Sequence, residues 1–346
     1  MRMLFVWSAA TVSTYDVARG YRHAFARQGH VLRDYKLFAR IEYHARAIAE
    51  KTEQIAVLSE LASENIVVEA MKHRADLVFI VSGMTCHPNA IWLLRRAGIP
   101  ATVLFTESPY NDPQQREWVA VYPEMTVFTN ERLSARREGW YYLPHAYDPE
   151  IHRPVDAGDL PRCDVLFVGT LWPERVAFFE AIDWTGITLQ MHGTWPDVQH
   201  DDTAKRHVLE LAATAAASPI RRYFSPGCVR NEEIAGYYAA ATMVVNVHRT
   251  DPDAESLNPR CYEVPACGTL LVTDGRRELG QVFRPGSVAT FTDAASLHET
   301  MRYYLDHAEA RADAIAQAQV DIRPHTFDRR AQQVMEVLAP ALPVAV

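Results

Sequence analysis

Glu255 and Glu263 are the two carboxylates whose spacing most clearly suggests chemistry, because seven residues separate them and Arg260 lies in between. Asn258 is a good N-cap residue and Pro259 suits the first position of a helix, so a helix is predicted to begin here. The two carboxylates are therefore expected on either side of a helix N-terminus.

A helix N-terminus is a favourable place for an anion, because its first backbone N–H groups are unpaired and the helix dipole is positive there. Arg260 lies in the predicted first turn and would add a guanidinium, so a phosphate is the expected anion. Glu263 lies one helical step further on the same side, where its carboxylate could accept hydrogen bonds from sugar hydroxyls. Two interpretations stay open: a pocket for a nucleotide sugar, or a capped helix, ended by Gly268, with a surface Arg–Glu pair.

Length and composition limit the classes of protein to consider. The chain has 346 residues, which is long for one hydrophobic core and favours two domains. A content of 48% hydrophobic and 23% charged residues indicates a globular protein. The net charge of −8 argues against a protein that coats nucleic acid by charge alone. Arg132, Arg136 and Arg137 could still form a local basic groove, or simply a solvated helix face.

Cysteine and histidine usage predicts neither a disulfide framework nor a metal site. The five cysteines are an odd number without a CxxC pair, which favours free thiols in a reducing cytoplasm. The fourteen histidines lack a metal-ligand spacing such as HExxH. The N-terminus has no signal-peptide pattern, and no apolar stretch is long enough to span a bilayer. A cytoplasmic protein without a membrane span is expected.

Apolar strands that alternate with helices predict two successive α/β units with parallel sheets covered on both faces. A Pro-, Asp- and Gly-rich stretch, 144–161, is interpreted as the linker between them. The predicted domains are 1–150, 151–325 and a C-terminal helix, 326–346, that crosses back to the first domain. Strands are predicted at 3–7, 31–35, 77–81, 101–105, 125–128, 140–143, 164–168, 188–191, 222–224, 243–247 and 270–273. Helices are predicted at 17–28, 41–73, 88–97, 131–138, 174–182, 202–217, 231–241, 296–318 and 327–338.

In sheets of this kind a ligand binds beyond the carboxyl ends of the strands, so the loops at those ends contain the candidate residues. Glu107 follows an apolar strand and is the first candidate for a general base, with Asp16, in the first strand-to-helix loop, as the second. A residue in either place is more often a helix cap or a turn residue than a base. Asp251-Pro-Asp253 is formally a metal-binding DxD motif, but its place in a polar loop favours a plain turn.

Several motifs, in this order, resemble those of GT-B glycosyltransferases over nearly the whole chain. The segment 167–175 contains Gly169-Thr170 and Pro173-Glu174-Arg175, and is similar to the turn that opens the second domain of glycosyltransferase family 4. The segment 227–234 resembles that family's turn before a nucleotide-binding helix, and Glu255 and Glu263 match its E-x7-E motif. A likeness to CgeB-like proteins is carried by 105–109, 246–249, 256–260 and 325–329.

The resemblance implies two Rossmann-like parallel-sheet domains facing a central cleft, with the acceptor bound by the first and the donor by the second. It implies that Glu255 lies near the transferred sugar, Glu263 at the ribose and Arg175 at the donor diphosphate. The remaining donor-binding candidates lie in the same strand-end loops: Gly169, Thr170, Gly193, Val229, Asn246, His248, Asn258 and Arg260. Thr170 replaces the family's arginine, and Ser256-Leu-Asn258 replaces its Gly-rich turn, so the stereochemistry does not carry over.

The expected function is the transfer of a sugar from a nucleotide-sugar donor, a UDP-sugar by preference, to an acceptor hydroxyl, with no cofactor and no essential metal. Two alternatives remain from the sequence: an epimerase of nucleotide sugars with the same fold, and a non-catalytic nucleotide-sugar-binding protein. The acceptor could be a carbohydrate, a small molecule, a protein or a modified nucleic acid such as a hydroxymethylated DNA base.

Overall fold

The computed structural model describes residues 1–8, 12–48, 55–106, 112–195, 218–249 and 254–341. The chain divides into two compact units. The first comprises Met1–His145, Asp253–Ser256 and Thr326–Val346, and the second Ala146–Pro252 and Leu257–His325.

The first unit is built on a six-stranded sheet in the order β2-β1-β3-β4-β5-β6, in which each neighbouring pair is parallel. Its strands are β1 (Arg2–Trp7), β2 (Val31–Lys36), β3 (Leu77–Val81), β4 (Ala101–Phe105), β5 (Thr126–Thr129) and β6 (Trp140–Tyr142). Every residue of β3 and β4 is buried, which explains why both are uninterrupted apolar runs. The prediction of a parallel sheet covered on both faces is confirmed here.

The helices described in the first unit connect and cover these strands: α1 (Val12–Arg27), α2 (Leu37–Ile48), α3 (Ile55–His73), α4 (Pro88–Arg96), α5 (Asp112–Ala120) and the C-terminal α12 (Phe327–Leu338). Helix α12 packs on α1, where the rings of Tyr21 and Phe327 meet edge to face at 5.1 Å. Arg27 and Asp328 form an ion pair at 2.7 Å in the same contact. The chain therefore returns to the first unit after completing the second.

The second unit has its own six-stranded parallel sheet, in the order β12-β11-β10-β7-β8-β9. Its strands are β7 (Cys163–Val168), β8 (Leu189–Gly193), β9 (Phe224–Pro226), β10 (Ala241–Asn246), β11 (Leu270–Asp274) and β12 (Ala289–Phe291). Its helices are α6 (Pro173–Glu180), α7 (Ile234–Ala240), α8 (Arg260–Ala266), α9 (Leu279–Val282), α10 (Ala294–Asp306) and α11 (Ala308–Ile322). The strand order reverses between β7 and β10, which makes their carboxyl ends the topological switch point of this sheet.

The structure differs from the predicted elements at several places. The predicted helix 131–138 is only a 3₁₀ turn, Ser134–Arg136; the Glu131 carboxylate accepts the N–H of Leu133 just before it. The predicted helix 296–318 is two helices, since His307 between them has a non-helical backbone with φ −117° and ψ 76°. Helix α5 and strand β12 were not predicted; β12 has three residues, too few for a periodicity to register.

Asp16 was predicted to lie in a strand-to-helix loop, and the structure shows this to be wrong. Helix α1 begins at Val12, five residues earlier than predicted, so Asp16 lies inside the helix. Its carboxylate forms an ion pair with Arg19, one helical turn further on, at 3.1 Å. None of the described helices is both long and apolar enough to cross a membrane.

Candidate functional site

A buried arginine, Arg175, connects the two loops at the switch point of the second sheet. Arg175, on α6, donates from Nη1 to the carbonyl of Thr170 at 2.8 Å and from Nη2 to the carbonyl of Val247 at 2.6 Å. Thr170 follows β7 and Val247 follows β10, so one guanidinium holds the loops on both sides of the switch point. The side chain is only 8% exposed and lies against the Phe167 ring. Arg175 thus shapes the strand-end loops through backbone carbonyls.

Gly169 and Gly193 lie at the ends of the neighbouring strands β7 and β8, where the two backbones touch. This pair is called the glycine turn below. The N–H of Gly169 donates to the carbonyl of His192 at 2.8 Å, which continues the pairing of β7 with β8 to their last residues. A Cβ atom on Gly193 would lie 2.1 Å from the carbonyl oxygen of Gly169, and Gly193 has a φ of +136°. Only glycine fits at position 193, and both glycines are buried.

Arg260 lies over this glycine turn, and the described residues provide it with no counter-charge. A Cβ atom on Gly169 would lie 3.2 Å from Nη2 of Arg260, so the guanidinium is directly above the turn. Within the described part of the chain, Arg260 forms no hydrogen bond and no ion pair, and its Nε is buried and unpaired. A cation that is held against bare backbone and is not neutralised can bind an anion such as a phosphate.

The start of α8 is not capped as the sequence predicted. Asn258 caps no backbone N–H with its side chain, and the helix begins at Arg260 instead of Pro259. The N–H of Cys261 donates to the carbonyl of Asn258 at 3.1 Å, and those of Tyr262 and Glu263 donate to that of Pro259. These three N–H groups are therefore already used, and the guanidinium of Arg260 is the charged group at this helix start. The predicted helix end is confirmed, since Gly268 has a φ of +78° just beyond the last turn.

His248 is held from both sides of its ring. Its Nδ1 lies 2.7 Å from Oδ1 of Asp274, at the end of β11, and its Nε2 lies 3.2 Å from the backbone N of Asn258. This pattern assigns a neutral ring, protonated at Nδ1, that donates to Asp274 and accepts from Asn258. Burial lowers the pKa of His248, and the nearby Arg276 and Arg175 lower it further, against the opposing effect of Asp274.

Asn246 continues the same network from the end of β10. Its Nδ2 donates to Oγ1 of Thr273 at 3.0 Å, and its Oδ1 accepts from Nδ2 of Asn258 at 2.8 Å. Oδ1 of Asn258 is buried and has no hydrogen-bond partner among the described residues. The two asparagines therefore tie the segment before α8 to the strand ends and leave one acceptor atom available.

Glu263 lies in a second polar group, one helical turn from Arg260. The hydroxyl of Tyr238, on α7, donates to Oε2 of Glu263 at 3.4 Å, and burial raises the pKa of Tyr238 well above its usual range. Nε2 of the buried His152 lies 3.0 Å from Oδ1 of Asn231 and 3.8 Å from Oε1 of Glu263. Val229, in the loop before α7, packs half-buried against the neighbouring core. This group offers carboxylate and amide oxygens to hydroxyl donors.

Glu255 belongs to the first unit. Nη2 of Arg136 lies 2.8 Å from its Oε1 and 3.0 Å from its Oε2. Glu263 belongs to the second unit, so the two glutamates of the sequence motif are held by different parts of the protein. The carboxylate of Glu255 is neutralised by Arg136 in this structure.

Glu131 is a buried carboxylate that the sequence interpretation passed over. Only 4% of it is exposed, and it accepts hydrogen bonds from the N–H groups of Leu133 and Glu255, at 3.1 and 3.0 Å, and of Ser256, at 3.3 Å. It therefore fixes the backbone that carries Glu255. Its position two residues beyond the end of the parallel strand β5 was a usable signal, because ligand-proximal residues collect there.

Ten of the predicted site residues were assigned to donor binding, and all of them lie in the second unit, on its strand-end loops or on α6 and α8. Of the three predicted catalytic residues, Asp16 and Glu255 lie in the first unit, and Glu107 lies outside the described residues, as does the DxD motif at 251–253. A search of the described residues finds no group of three or more His, Cys, Asp or Glu side chains that could hold a metal ion.

The buried, neutral His248 predicts a pH dependence of stability. Its pKa is lowered from its usual 6.5 in the folded chain, so below about pH 6.5 the unfolded chain binds more protons and stability rises with pH. We expect the stability difference between wild type and His248→Gln to shrink as the pH falls through this window, and to stay constant above it. Urea unfolding over a pH series measures this difference, and a constant difference at every pH would contradict the neutral ring.

Comparisons with known proteins agree with this architecture. Residues 174–336 match the model of a family described as glycosyl transferase-like. A search of curated protein sequences found no significant match. Among solved structures, sucrose-phosphate synthase from Thermosynechococcus elongatus is similar with a TM-score of 0.67 at 14% identity, over 98% of both chains.

Two further similar structures contain nucleotides. Anabaena HepE in complex with UDP-glucose has a TM-score of 0.66 at 12% identity, over 98% of this chain and 100% of that one. An alpha-glucosyltransferase in complex with UDP and a 13-mer DNA containing an HMU base has a TM-score of 0.67 at 13% identity, over 98% and 99%. At such identities these likenesses establish the fold, and the predicted GT-B class is confirmed. Residues 174–336 are thus similar in sequence to a glycosyl transferase-like family, and the chain as a whole has the GT-B fold.

Proposed function

We propose that this protein transfers a sugar from a UDP-sugar donor to an acceptor hydroxyl without a metal or another cofactor, and that it belongs with the CgeB-like proteins. In such a transfer the bond between the sugar and the diphosphate breaks, and the acceptor oxygen takes the sugar. The leaving UDP gains negative charge, which the protein must stabilise.

The observation that carries the proposal is the unneutralised guanidinium of Arg260 over the Gly169 turn. A diphosphate needs a positive charge that it can reach, and the absence of a side chain on Gly169 lets the partly exposed Arg260 guanidinium lie directly against the backbone at the end of β7. Arg175, which the resemblance assigned to the diphosphate, shapes the turn through the Thr170 carbonyl. In the proposal the direct contact is therefore assigned to Arg260, with Arg175 as its support.

The polar group around Glu263 suits the nucleoside part of the donor. Its carboxylate and the amide of Asn231 lie close together and can accept hydrogen bonds from ribose hydroxyls. Val229 lies in the preceding loop, two residues from Asn231, and is proposed to contact the base. The choice of UDP is supported by the similar structures, two of which hold UDP or UDP-glucose.

The acceptor side is assigned to the first unit. Glu255, held by Arg136, is proposed to act near the transferred sugar, and Glu107 is proposed as the general base, ahead of Asp16. A hydroxymethylated pyrimidine in DNA is a specific acceptor candidate, because one similar structure contains a 13-mer DNA with an HMU base. The net charge of −8 means that such a substrate would need a local basic surface.

Arg260→Gln tests the donor site. We expect calorimetry to show UDP binding to wild type that is weaker by about tenfold or more in Arg260→Gln, because a hydrogen-bonded charge contact is lost. Arg260→Lys keeps the charge without the planar fork and should fall between the two. Equal UDP affinity in wild type and Arg260→Gln would overturn the assignment of the diphosphate to Arg260.

Turnover separates the proposed transferase from the two alternatives. A transferase releases UDP from UDP-glucose only when an acceptor is present, an epimerase changes the sugar without releasing UDP, and a binding protein does neither. The acceptor panel would include glucose, sugar phosphates and duplex DNA with hydroxymethylated pyrimidines. Transfer that persists in EDTA would support the absence of a metal requirement, and its loss would contradict it.

A further inference from the structure

His248 connects two strand ends to the segment that carries Arg260. His248 lies two residues after the end of β10, and its Nδ1–H donates to Asp274 at the end of β11, 2.7 Å away. The Nε2 on the other side of the ring accepts the N–H of Asn258, 3.2 Å away. The ring is 7% exposed, so these bonds form in a buried environment where they are stronger than in water.

The segment between these bonds and Arg260 is short and stiff. The N–H of Leu257 donates to the buried Glu278 carboxylate at 2.8 Å, and the N–H of the next residue, Asn258, goes to His248. Pro259 follows with a φ of −52°, which its ring fixes. Arg260 is the next residue, so its Cα is set by two successive N–H bonds and one proline.

No other described side chain holds the Arg260 guanidinium in place. Among the described residues its guanidinium has neither a hydrogen bond nor an ion pair, so its position over Gly169 follows from the backbone that carries it. A shift of the Asn258–Pro259 backbone would move the cation relative to the glycine turn. The contact between a guanidinium and a phosphate depends on fork geometry, so such a shift would weaken binding.

We infer that His248, oriented by Asp274, is a positioning residue that sets Arg260 for the donor diphosphate, and does not itself contact the donor. This inference rests on the proposed function of Arg260. The sequence left His248 as either a donor-side hydrogen-bond partner or a packed histidine; in the structure its two ring nitrogens are bound to Asp274 and to the Asn258 N–H. The contribution of His248 to the free energy of donor binding therefore depends on the presence of Arg260.

A double-mutant cycle with UDP as the probe tests this statement. His248→Leu removes both ring hydrogen bonds at similar volume, and we expect it to weaken UDP binding about tenfold in the wild-type background. In the Arg260→Gln background the same change should weaken binding by less than about twofold, because coupled residues are not additive. His248→Gln retains an amide that can accept the Asn258 N–H, and should recover part of the affinity.

The control is Asp321→Asn, which disturbs a comparable carboxylate far from the strand carboxyl ends. Asp321 accepts from Arg284 and Ser287, just before β12 begins. The Asp321→Asn substitution should lower the melting temperature of the protein without changing its affinity for UDP. If His248→Leu does not fold, the cycle is run with His248→Gln, for which the same coupling is expected on a smaller scale.

Different results would overturn the donor site at Arg260 and the positioning role of His248. Absence of UDP binding to wild type, or unchanged binding in Arg260→Gln, would overturn the proposed donor site itself. If Arg260→Gln loses affinity while the His248 variants bind UDP like wild type, the positioning role is wrong. Equal losses on changing His248 in both backgrounds would also overturn it, because they would show an effect independent of Arg260.

Discussion

Gly193→Ala is expected to lower the free energy of unfolding by about 3 kcal/mol and to abolish measurable UDP binding. The added Cβ would lie 2.1 Å from the carbonyl oxygen of Gly169 and 2.7 Å from its carbonyl carbon. Both are backbone atoms, so no side-chain rotation relieves the overlap. The φ of +136° at Gly193 adds backbone strain for any residue with a side chain. The strands β7 and β8 would have to separate at the turn that the donor diphosphate is proposed to touch.

Gly280→Ala is the matched control for this change. It is the same substitution in the same unit, but a Cβ there meets nothing within 4 Å, and the residue lies in helix α9. We expect it to be neutral or slightly stabilising, because alanine favours helix more than glycine does. Urea unfolding and UDP calorimetry on the two variants make the measurement. A Gly193→Ala protein that is as stable as wild type would show that the close backbone contact is not real.

Glu131→Ala is expected to destabilise the first unit by about 3 kcal/mol, because three backbone N–H groups lose their buried acceptor. Those groups belong to Leu133, Glu255 and Ser256, so the change also frees the backbone that carries Glu255. If Glu255 acts near the transferred sugar, turnover should fall much more than UDP affinity does. Thermal unfolding, UDP release with acceptor, and calorimetry on one protein preparation measure the three quantities.

Two companion variants sharpen this result. Glu131→Gln keeps the shape but replaces one accepting oxygen by an amide N–H₂ group, so it should recover part of the stability and not all of it. Glu138→Ala removes an exposed glutamate seven residues further along and should change neither stability nor turnover. Wild-type stability in Glu131→Ala would show that the three N–H groups find other partners, and would remove Glu131 from the account of Glu255.

Much of the fold could be predicted because buried parallel strands have a plain signature in the sequence. The predicted bounds of the strands at 77–81 and 101–105 and of the last helix, 327–338, coincide with those of β3, β4 and α12. Each of the two strands is buried over its whole length, and α12 has a well-formed apolar face that packs on α1. Local pattern and tertiary environment agree at these places, so the pattern is sufficient.

The details of the site could be predicted only in part, because they depend on which partners the fold brings to each polar group. Residue types identified Asn258 as a cap, but its side chain bonds Asn246, which is distant in sequence. The expected free N–H groups at the start of α8 are used by carbonyls of the preceding turn. Glu131 looked like an ordinary helix residue, since the N–H groups of Glu255 and Ser256 come from a segment more than a hundred residues away.

The way in which α8 begins bears on how this protein could diverge. A phosphate site built from main-chain N–H groups survives almost any replacement of side chains. Here the N–H groups of Cys261, Tyr262 and Glu263 already donate to neighbouring carbonyls. Contact with the diphosphate would thus depend on one side chain, that of Arg260, together with the backbone that positions it. A descendant with another residue at position 260 could keep the fold and hold the donor more weakly.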